Sequence, residues 1–410
     1  MRKTKFFNKG KINALIAIIM VFIFLFMFFA PLHDVNLQHQ SFQKHYNAVA
    51  TKNGKQNYPG YVKYTLDLSN NTLLNGNFIQ KPNYSSGPIA IAFDPANKYI
   101  YVANYCSNNV SVINTTTNKV VDSISTNSGP VGIAFDSSNG YIYVANYCSN
   151  NTTVINGKTN KVIENINVGS HQNGVAFDTS NGYVYIADSG PNSMTVINGS
   201  TNKVVTTINV GLKPNGIAFD SANKYIYVTN FRSNNTTVIN GSTNKVIENI
   251  TVGGHPVGIA FDPSNGYVYI ANRGPDSMTV INGSTNKVVT TINVGISPIG
   301  VSFDSTNNYI YVTNYYSNNV SVINGSTNSI VKSINTGSHP NGIAVDTYNG
   351  TIYISNFKSY TISIISLTSP PHTKFYFAGL NTTDIIIIGL VASGPIIGIA
   401  IMRFKKGKET

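Results

Sequence analysis

The sequence predicts an all-β fold, a seven-bladed β-propeller built from four-stranded repeats, and three observations lead to this prediction. The dipeptide Phe93-Asp94 recurs every 42 residues without insertion or deletion, and seven copies are present, the last as Val345-Asp346. Each copy holds four short runs of β-branched and aromatic residues separated by turn sequences, with no helical period between them. A period of this length is typical of solenoids and propellers, because one unit cannot bury its apolar faces alone.

Each run within a repeat has the composition expected of its place in a blade. The first run, 258–262 in one copy, carries glycine and alanine at alternate positions, as an innermost strand near a crowded axis should. The second run, 267–272, is apolar on both faces, which suits a strand between two neighbouring blades. After a third run at 278–282, the fourth run, 287–292, mixes lysine and threonine into valine and isoleucine, as expected of an outer strand.

The two ends of the repeat array predict how the ring closes. The last repeat offers three strand runs, through 361–365, and then loses the pattern. The segment 67–75 before the first repeat resembles the turn and outer strand of the other repeats, so we expect three C-terminal strands and one N-terminal strand in the closing blade. The run 61–66 could instead supply the third strand as well, which leaves the division open. Closure removes the exposed edges of an open array.

Two copies of the second run resemble a known signature. The hexapeptide Tyr-Ile-Tyr-Val-Thr-Asn at 225–230 and 309–314 is similar to the signature of the YVTN-family β-propeller repeats found in archaeal surface-layer proteins and related bacterial proteins. The resemblance covers residues 61–367, and a WD40 propeller is excluded because the chain has no tryptophan. It implies a seven-bladed propeller at the cell surface. It implies no activity, since such propellers include scaffolds and ligand binders.

Apolar segments flank the propeller at both ends of the chain. Residues 12–30 follow a basic tail at 1–11, the layout of a signal peptide or signal anchor, and their length favours an uncleaved anchor. Residues 385–402 precede a basic tail at 403–410 and are predicted to form a transmembrane helix, rather than a buried core strand or helix. A polar linker at 31–60 and a stalk at 368–384 complete the organisation. Both tails are expected in the cytoplasm and the propeller outside the cell membrane.

The charge and the sequons refine this expectation. Much of the formal net charge of +12 belongs to the two tails, so the propeller has no basic stripe for nucleic acid. Export makes the Asn-x-Ser/Thr sequons candidates for glycosylation, although Asn-Gly-Ser-Thr is also good turn chemistry copied with each repeat. The candidate asparagines are Asn83, Asn109, Asn114, Asn150, Asn198, Asn240, Asn282, Asn324 and Asn381.

The loops of the repeats differ between the two faces of the predicted ring. The loops from second to third strand and from blade to blade vary among repeats, and we name the side that holds them the variable face. The other two turns hardly change, and their side is the uniform face. Because binding residues are concentrated on variable loops over a rigid scaffold, the variable face is the candidate interaction surface. Its candidate contact residues are Tyr105, Lys213, Phe231, Arg232, Arg273, His171, His255 and His339.

Two sets of copied residues invite metal or disulfide chemistry. The three histidines lie two blades apart, roughly 12 to 16 Å near the axis, whereas zinc needs ligand atoms about 2 Å from one point, so no metal is predicted. Cys106 and Cys148 occupy equivalent positions of adjacent blades, about 10 Å apart against a limit of about 7 Å for an unstrained bridge. A disulfide requires both loops to fold inward, and free thiols are favoured. The repeated aspartate of Phe-Asp is interpreted as a turn residue.

No nucleophile elbow, phosphate loop or metal-binding helix motif occurs in the sequence, and no cofactor is predicted. The prediction is a non-catalytic, membrane-anchored propeller that acts as a scaffold, adhesion or recognition module toward a surface protein or glycan. The alternative is an enzyme, a hydrolase or lyase, or a small-ligand binder that uses the central funnel on the variable face. The sequence favours the first but leaves enzymatic activity open.

Overall fold

The computed structural model describes residues 87–366 in full and the backbone of Val62–Asp67, Ile385–Ser393 and Ile396–Phe404. In this part of the chain seven four-stranded antiparallel sheets form the blades of a propeller, as the sequence predicts. Each blade follows the chain order of one repeat, and the innermost strands of neighbouring blades contact each other around the ring. The all-β, seven-bladed prediction is therefore confirmed.

The strand bounds follow the repeat closely. The innermost strands are Pro88–Asp94 (β2), Pro130–Asp136 (β6), Gln172–Asp178 (β10), Pro214–Asp220 (β14), Pro256–Asp262 (β18), Pro298–Asp304 (β22) and Pro340–Asp346 (β26). The second strands are Tyr99–Asn104 (β3), Tyr141–Asn146 (β7), Tyr183–Asp188 (β11), Tyr225–Asn230 (β15), Tyr267–Asn272 (β19), Tyr309–Asn314 (β23) and Thr351–Asn356 (β27).

The outer half of each blade is equally regular. The third strands are Asn109–Asn114 (β4), Asn151–Asn156 (β8), Ser193–Asn198 (β12), Asn235–Asn240 (β16), Ser277–Asn282 (β20), Asn319–Asn324 (β24) and Thr361–Ser366 (β28). The outermost strands are Lys119–Ser125 (β5), Lys161–Asn167 (β9), Lys203–Asn209 (β13), Lys245–Thr251 (β17), Lys287–Asn293 (β21), Ser329–Asn335 (β25) and, in blade 7, Val62–Asp67 (β1).

Blade 7 closes the ring with strands from both ends of the array. Its order is β1-β28-β27-β26, and β1 pairs antiparallel with β28. The division into three C-terminal strands and one N-terminal strand is as predicted, but the N-terminal strand is Val62–Asp67 rather than 67–75. The physical reason lies in composition, because Val62–Asp67 alternates β-formers while 69–71 is Ser-Asn-Asn, which favours a turn. Residues 68–75 lie outside the described residues.

Buried tyrosines join each blade to the next. The central tyrosine of every second strand is fully buried. The hydroxyl of Tyr227 donates to Asn286 Oδ1 at 2.6 Å in the next blade, and that of Tyr353 donates to Asn118 Oδ1 at 2.8 Å, which joins blade 7 to blade 1. Burial raises the pKa of these phenols, to about 12 at Tyr185, so they remain donors at physiological pH.

Glycines let the innermost strands approach one another at the axis. A Cβ on Gly216 would lie 2.3 Å from the backbone oxygen of Val257 in the next blade, and one on Gly342 would lie 2.2 Å from that of Ile89. Contacts this short would require the neighbouring backbone to shift, so glycine occupies this position in six blades, and the smallest side chain, that of Ala90, occupies it in blade 1. The alternation seen in the sequence therefore reports the crowding of the ring.

The turns of the uniform face have the chemistry that the sequence predicts. Asp136 Oδ1 accepts hydrogen bonds from the Ser138 backbone nitrogen at 2.8 Å and from Ser138 Oγ at 2.6 Å. Asn198 Oδ1 accepts from the backbone nitrogen of Ser200 at 3.0 Å, in the turn between the third and fourth strands. These bonds fix the hairpins, and the interpretation of the repeated aspartate as a turn residue is confirmed.

The C-terminal part of the chain forms a separate unit from residue 368 onward. Here Ile385–Ser393 (β29) pairs antiparallel with Ile396–Phe404 (β30), where the sequence predicts a transmembrane helix over 385–402. Four consecutive β-branched isoleucines and the helix-breaking Gly394-Pro395 account for the difference. Among the described residues, no helix has the length and apolar character needed to cross a membrane. The tail 1–11, the segment 12–30, the linker 31–60 and the stalk 368–384 lie outside those residues.

Candidate ligand-binding site on the variable face

Seven residue pairs surround the end of the central axis on the variable face. In each blade the first residue after the second strand donates its backbone N–H to the residue that precedes the innermost strand. The bond is 2.9 Å from Tyr105 to Gly87 and 2.9 Å from Phe231 to Lys213. Equivalent bonds occur in the other five blades, so one scaffold presents seven side-chain pairs of different chemistry.

The three histidines each pack on an aromatic ring of the preceding blade. The ring of His255 stacks on that of Phe231, with centroids 4.7 Å apart and planes at 21°. His171 contacts Tyr147 at 5.0 Å, and His339 contacts Tyr315 at 4.5 Å, both edge-on. The structure therefore separates the histidines into three aromatic pairs rather than joining them at one point. Within the described residues, no three His, Cys, Asp or Glu side chains are grouped as metal ligands.

Arg273 occupies in blade 5 the position that Phe231 holds in blade 4 and Tyr315 in blade 6, and it extends toward the axis. Its Nε donates to Ser297 Oγ at 2.9 Å, and its guanidinium carbon lies 5.8 Å from the centroid of the Tyr315 ring. Both partners belong to blade 6. Burial and the neighbouring Tyr316 raise the pKa of Tyr315, while the charge of Arg273 opposes that rise. Arg273 is thus held between two blades and lines the central cavity.

The central cavity has a volume of about 360 Å³, is lined by residues of the seven innermost strands and is open to solvent. Most of its lining is glycine, isoleucine and valine backbone and side chain. Three carboxamides, Asn173, Asn215 and Asn341, come from blades 3, 4 and 7, and Arg273 is the charged residue among those that line it. The cavity therefore combines an apolar wall with a few polar groups, the pattern of small-molecule sites.

The other predicted contact residues lie around this mouth without reaching the cavity lining. The hydroxyl of Tyr105 lies 3.7 Å from Cys148 Sγ, and this hydrogen bond raises the pKa of Tyr105. Lys213 adopts a left-handed backbone, with φ of 55°, and its N–H donates to Asn192 Oδ1 at 2.8 Å. The side chain of Arg232 is exposed, and its backbone N–H donates to Leu212.

The cysteines and the candidate glycosylation sites also have defined places. Cys106 and Cys148 are both exposed free thiols. Asn109 is buried, with 8% of its surface exposed, and its Oδ1 accepts from Asn104 Nδ2. Five candidate sites lie in the hairpins between third and fourth strands, where they are partly exposed and their Oδ1 accepts hydrogen bonds of the turn: Asn114, Asn198, Asn240, Asn282 and Asn324. Asn150 is exposed. Asn83 and Asn381 lie outside the described residues.

Several residues of the site have no counterpart in the sequence prediction. They are Tyr147, Tyr315 and Tyr316 on the face, the three asparagines of the cavity, and Asp188, an aspartate where the other six blades have asparagine. Burial raises the pKa of Asp188 to about 6, opposed by a hydrogen bond from Thr195. Aligning the repeats position by position would have found all of them, because each departs from its repeat position or varies within it.

Known proteins resemble this chain in two of its segments and in its fold. Residues 84–181 match the model of YNCE-like β-propellers, and residues 237–392 match that of the cytochrome D1 heme domain, each less than half of the chain. No curated protein matches the sequence. Among solved structures, Kuenenia stuttgartiensis hydrazine synthase superimposes with a TM-score of 0.63 at 17% identity, over 72% of this chain and 99% of that chain. At this identity the similarity establishes the fold alone, and the chain is a β-propeller repeat protein.

Proposed function

We propose that the protein binds a small anionic ligand at the mouth of its central cavity on the variable face, with Arg273 as the main contact. This function is the ligand-binding alternative of the sequence analysis rather than a purely structural scaffold. The observation that carries it is the state of Arg273, which lines the cavity and forms no ion pair within the described residues.

An arginine in this position has donors to spare. Its guanidinium carries five N–H donors in a planar fork, and one of them, on Nε, is used by Ser297 Oγ. The remaining donors can bind a carboxylate in the bidentate arrangement that arginine favours. Tyr315 supports one face of the guanidinium, which reduces the freedom that would be lost on binding.

The surroundings of Arg273 suit a small molecule. The cavity of about 360 Å³ lies within the usual range for ligand pockets, roughly 300 to 1,000 Å³. The aromatic–histidine pairs give the mouth planar walls, and the carboxamides of Asn173, Asn215 and Asn341 supply both donors and acceptors inside. The match of residues 237–392 to the model of a heme domain supports a central ligand site over a structural role alone.

The experiment is ligand-observed NMR with benzoate, using benzylamine as the ligand of opposite charge and similar shape. We expect saturation transfer to benzoate and none to benzylamine. Arg273→Gln should weaken benzoate binding about ten- to a hundredfold, since a hydrogen bond to a charged group contributes roughly 1.5 to 3 kcal/mol. Lys158→Gln, on an exposed turn of the uniform face, is the matched control. Equal binding by wild type and Arg273→Gln would exclude this site.

Heme is a second candidate ligand, because one matched family model names a heme domain and His339 offers an imidazole that a hydrogen bond at Nδ1 holds in place. Its Nδ1 lies 2.8 Å from Ser338 Oγ, while Nε2 has no hydrogen bond within the described residues. Burial and the charge of Lys358 lower the pKa of His339, which favours the neutral imidazole that iron requires. His339 would hold the iron, and Arg273 and Lys358 the carboxylates; bound heme would supply one-electron redox chemistry.

Hemin titration tests this candidate directly. We expect a shifted Soret band with saturation near one equivalent for the wild type, and its loss in His339→Ala. His171→Ala removes an equivalent histidine from blade 3 and should leave the band unchanged. Equal loss in both variants, or no shift in the wild type, would rule out His339 as the ligand.

A further inference from the structure

We propose that the ligand bound by Arg273 is an amphiphilic carboxylate whose apolar part lies in a saddle over blade 5. This inference rests on the proposed function and specifies the class of ligand. The saddle is the low part of the variable face at Gly254 and Gly274, between two ridges on the neighbouring blades. Its walls are Leu212 and Arg232 of blade 4 and Ile296 and Tyr316 of blade 6.

The saddle results from one repeat position at which blade 5 differs from its neighbours. One residue beyond the seven pairs, a second backbone bond joins the same two loops, from Arg232 to Leu212 at 3.1 Å in blade 4 and from Tyr316 to Ile296 at 3.2 Å in blade 6. In blade 5 the equivalent bond joins Gly274 to Gly254 at 3.1 Å. The backbone scaffold is therefore the same, and blade 5 lacks the side chains that its neighbours project.

The walls expose more apolar surface than the rest of the variable face. Leu212 is 53% exposed, Ile296 54% and Tyr316 56%. The other large exposed hydrophobic residues of the described chain lie on the outermost strands, apart from Tyr348 on the uniform face. Exposed apolar side chains that are concentrated on both sides of one depression indicate a surface for an apolar partner.

Packing does not explain why residue 254 is a glycine. A Cβ at this position would meet no atom closer than 3.9 Å, and the residue is not among those with positive φ. Blades 4 and 6 carry leucine and isoleucine at the same position, so the backbone accepts large side chains. The glycine leaves open a space that the fold would allow a side chain to fill.

The saddle also offers a backbone donor. In blade 4 the N–H of Leu212 donates to Ser233 Oγ at 2.6 Å, and in blade 6 the N–H of Ile296 donates to Ser317 Oγ at 2.7 Å. Blade 5 has Pro275 in place of this serine, and the N–H of Gly254 makes no hydrogen bond within the described residues. A polar atom of a ligand that lies in the saddle can therefore accept a hydrogen bond from the Gly254 N–H.

The charges around the saddle select an anion. Arg273 lies at its inner end and Arg232 on one wall, while the nearby carboxylate of Asp276 already accepts a hydrogen bond from the Ser297 N–H at 2.7 Å. A ligand with a carboxylate at Arg273 and an apolar chain between Leu212 and Ile296 satisfies both kinds of surface. The cationic inner end and the apolar walls together favour a carboxylate over a neutral or cationic amphiphile.

Calorimetric titration of the full-length chain tests this inference, with butyrate, octanoate and octylamine as the probes. Octanoate should bind more than tenfold more tightly than butyrate, because each buried methylene strengthens binding about fourfold. Gly254→Leu places the blade 4 residue in the saddle and should remove this advantage while leaving butyrate unaffected. Ser128→Leu introduces leucine at the equivalent position of blade 2 and should alter the binding of neither carboxylate.

The outcomes separate the two proposals. The saddle is supported if Arg273→Gln loses the binding of both butyrate and octanoate, and if, of the two leucine variants, only Gly254→Leu loses the preference for octanoate. Equal affinity of the wild type for butyrate and octanoate, or an unchanged preference of Gly254→Leu for octanoate, overturns the saddle. Butyrate binding that depends on Arg273 would still support the proposed function. Binding of octylamine as tight as that of octanoate overturns the assignment to carboxylates. Absence of any Arg273-dependent binding refutes both.

Discussion

Replacing Asp188 by asparagine should stabilise the protein at neutral pH. The carboxylate of Asp188 is fully buried in blade 3, and Thr195 Oγ1 donates to its Oδ2 at 2.6 Å. In the equivalent place of blade 4, the amide of Asn230 donates to Thr237 Oγ1 at 2.8 Å. The fold therefore accepts asparagine here, and the direction of the hydrogen bond with threonine reverses between the two blades.

The magnitude follows from the shifted pKa. Burial raises the pKa of Asp188 from 3.8 to about 6, a difference that corresponds to about 3 kcal/mol in favour of the protonated form. Because the folded pKa lies above the unfolded one, this contribution is present below about pH 4 and is lost as the pH rises through 6. The wild type thus carries a buried charge at pH 7 that Asp188→Asn removes. At about 2 °C for each kcal/mol, Tm should rise by about 6 °C.

Thermal unfolding of both proteins by circular dichroism at pH 7 and pH 4 is the assay. The gain in Tm should be present at pH 7 and nearly absent at pH 4, where Asp188 is protonated in the folded wild type. Asp122→Asn removes an exposed carboxylate on an outermost strand and should show no such pH dependence. A gain of equal size at both pH values, or a loss of stability at pH 7, would refute the burial argument.

Three further predictions concern the ring. Tyr227→Phe removes the hydroxyl that bonds Asn286 of blade 5 and should cost about 1 to 3 kcal/mol of unfolding free energy, more than Tyr348→Phe at an exposed tyrosine of the uniform face. Chemical denaturation compares the two, and equal losses would contradict an inter-blade role. Gly216→Ala should lower Tm, because its Cβ would lie 2.3 Å from the backbone oxygen of Val257 and the two strands would have to move apart, and a wild-type Tm would disprove that closeness. Native iodoacetamide labelling should add two groups per chain, at Cys106 and Cys148; a single addition or none would contradict two exposed thiols.

The repeat made most of the fold predictable. Seven copies without insertion fix the number of blades, and alternating small residues identify the strand at the axis, where Gly216 faces Val257. The ends were less predictable, because a single segment outside the array has no copies for comparison. The closing strand is Val62–Asp67 rather than 67–75, and Ile385–Ser393 pairs with Ile396–Phe404 where hydropathy alone indicates a helix. Hydropathy measures apolar character and does not distinguish β-branched strands from helices.

The candidate site was only partly predictable, for a different reason. The variable loops predicted the face on which we propose the ligand site, and they included Arg273, which lines the cavity. The contacts of each loop residue depend on the neighbouring blade. Phe231, for example, stacks on His255, and Arg273 packs on Tyr315. Such contacts join residues of successive repeats and have no spacing signal within one repeat. The histidines therefore looked like one set in the sequence and are three separate aromatic pairs in the structure.

A ring of nearly identical blades can acquire an individual site only where its geometry leaves room for change. The innermost glycines and the buried tyrosines are fixed by contacts to the next blade, so substitutions there would affect the whole ring. At the variable face, by contrast, the same backbone bonds support glycine in blade 5, leucine in blade 4 and isoleucine in blade 6. The positions that tolerate this variation therefore lie around the mouth of the central cavity rather than in its lining. Steric freedom, exposed apolar surface and a guanidinium with no ion pair among the described residues therefore coincide on the variable face, and we assign ligand recognition to it rather than to the uniform face.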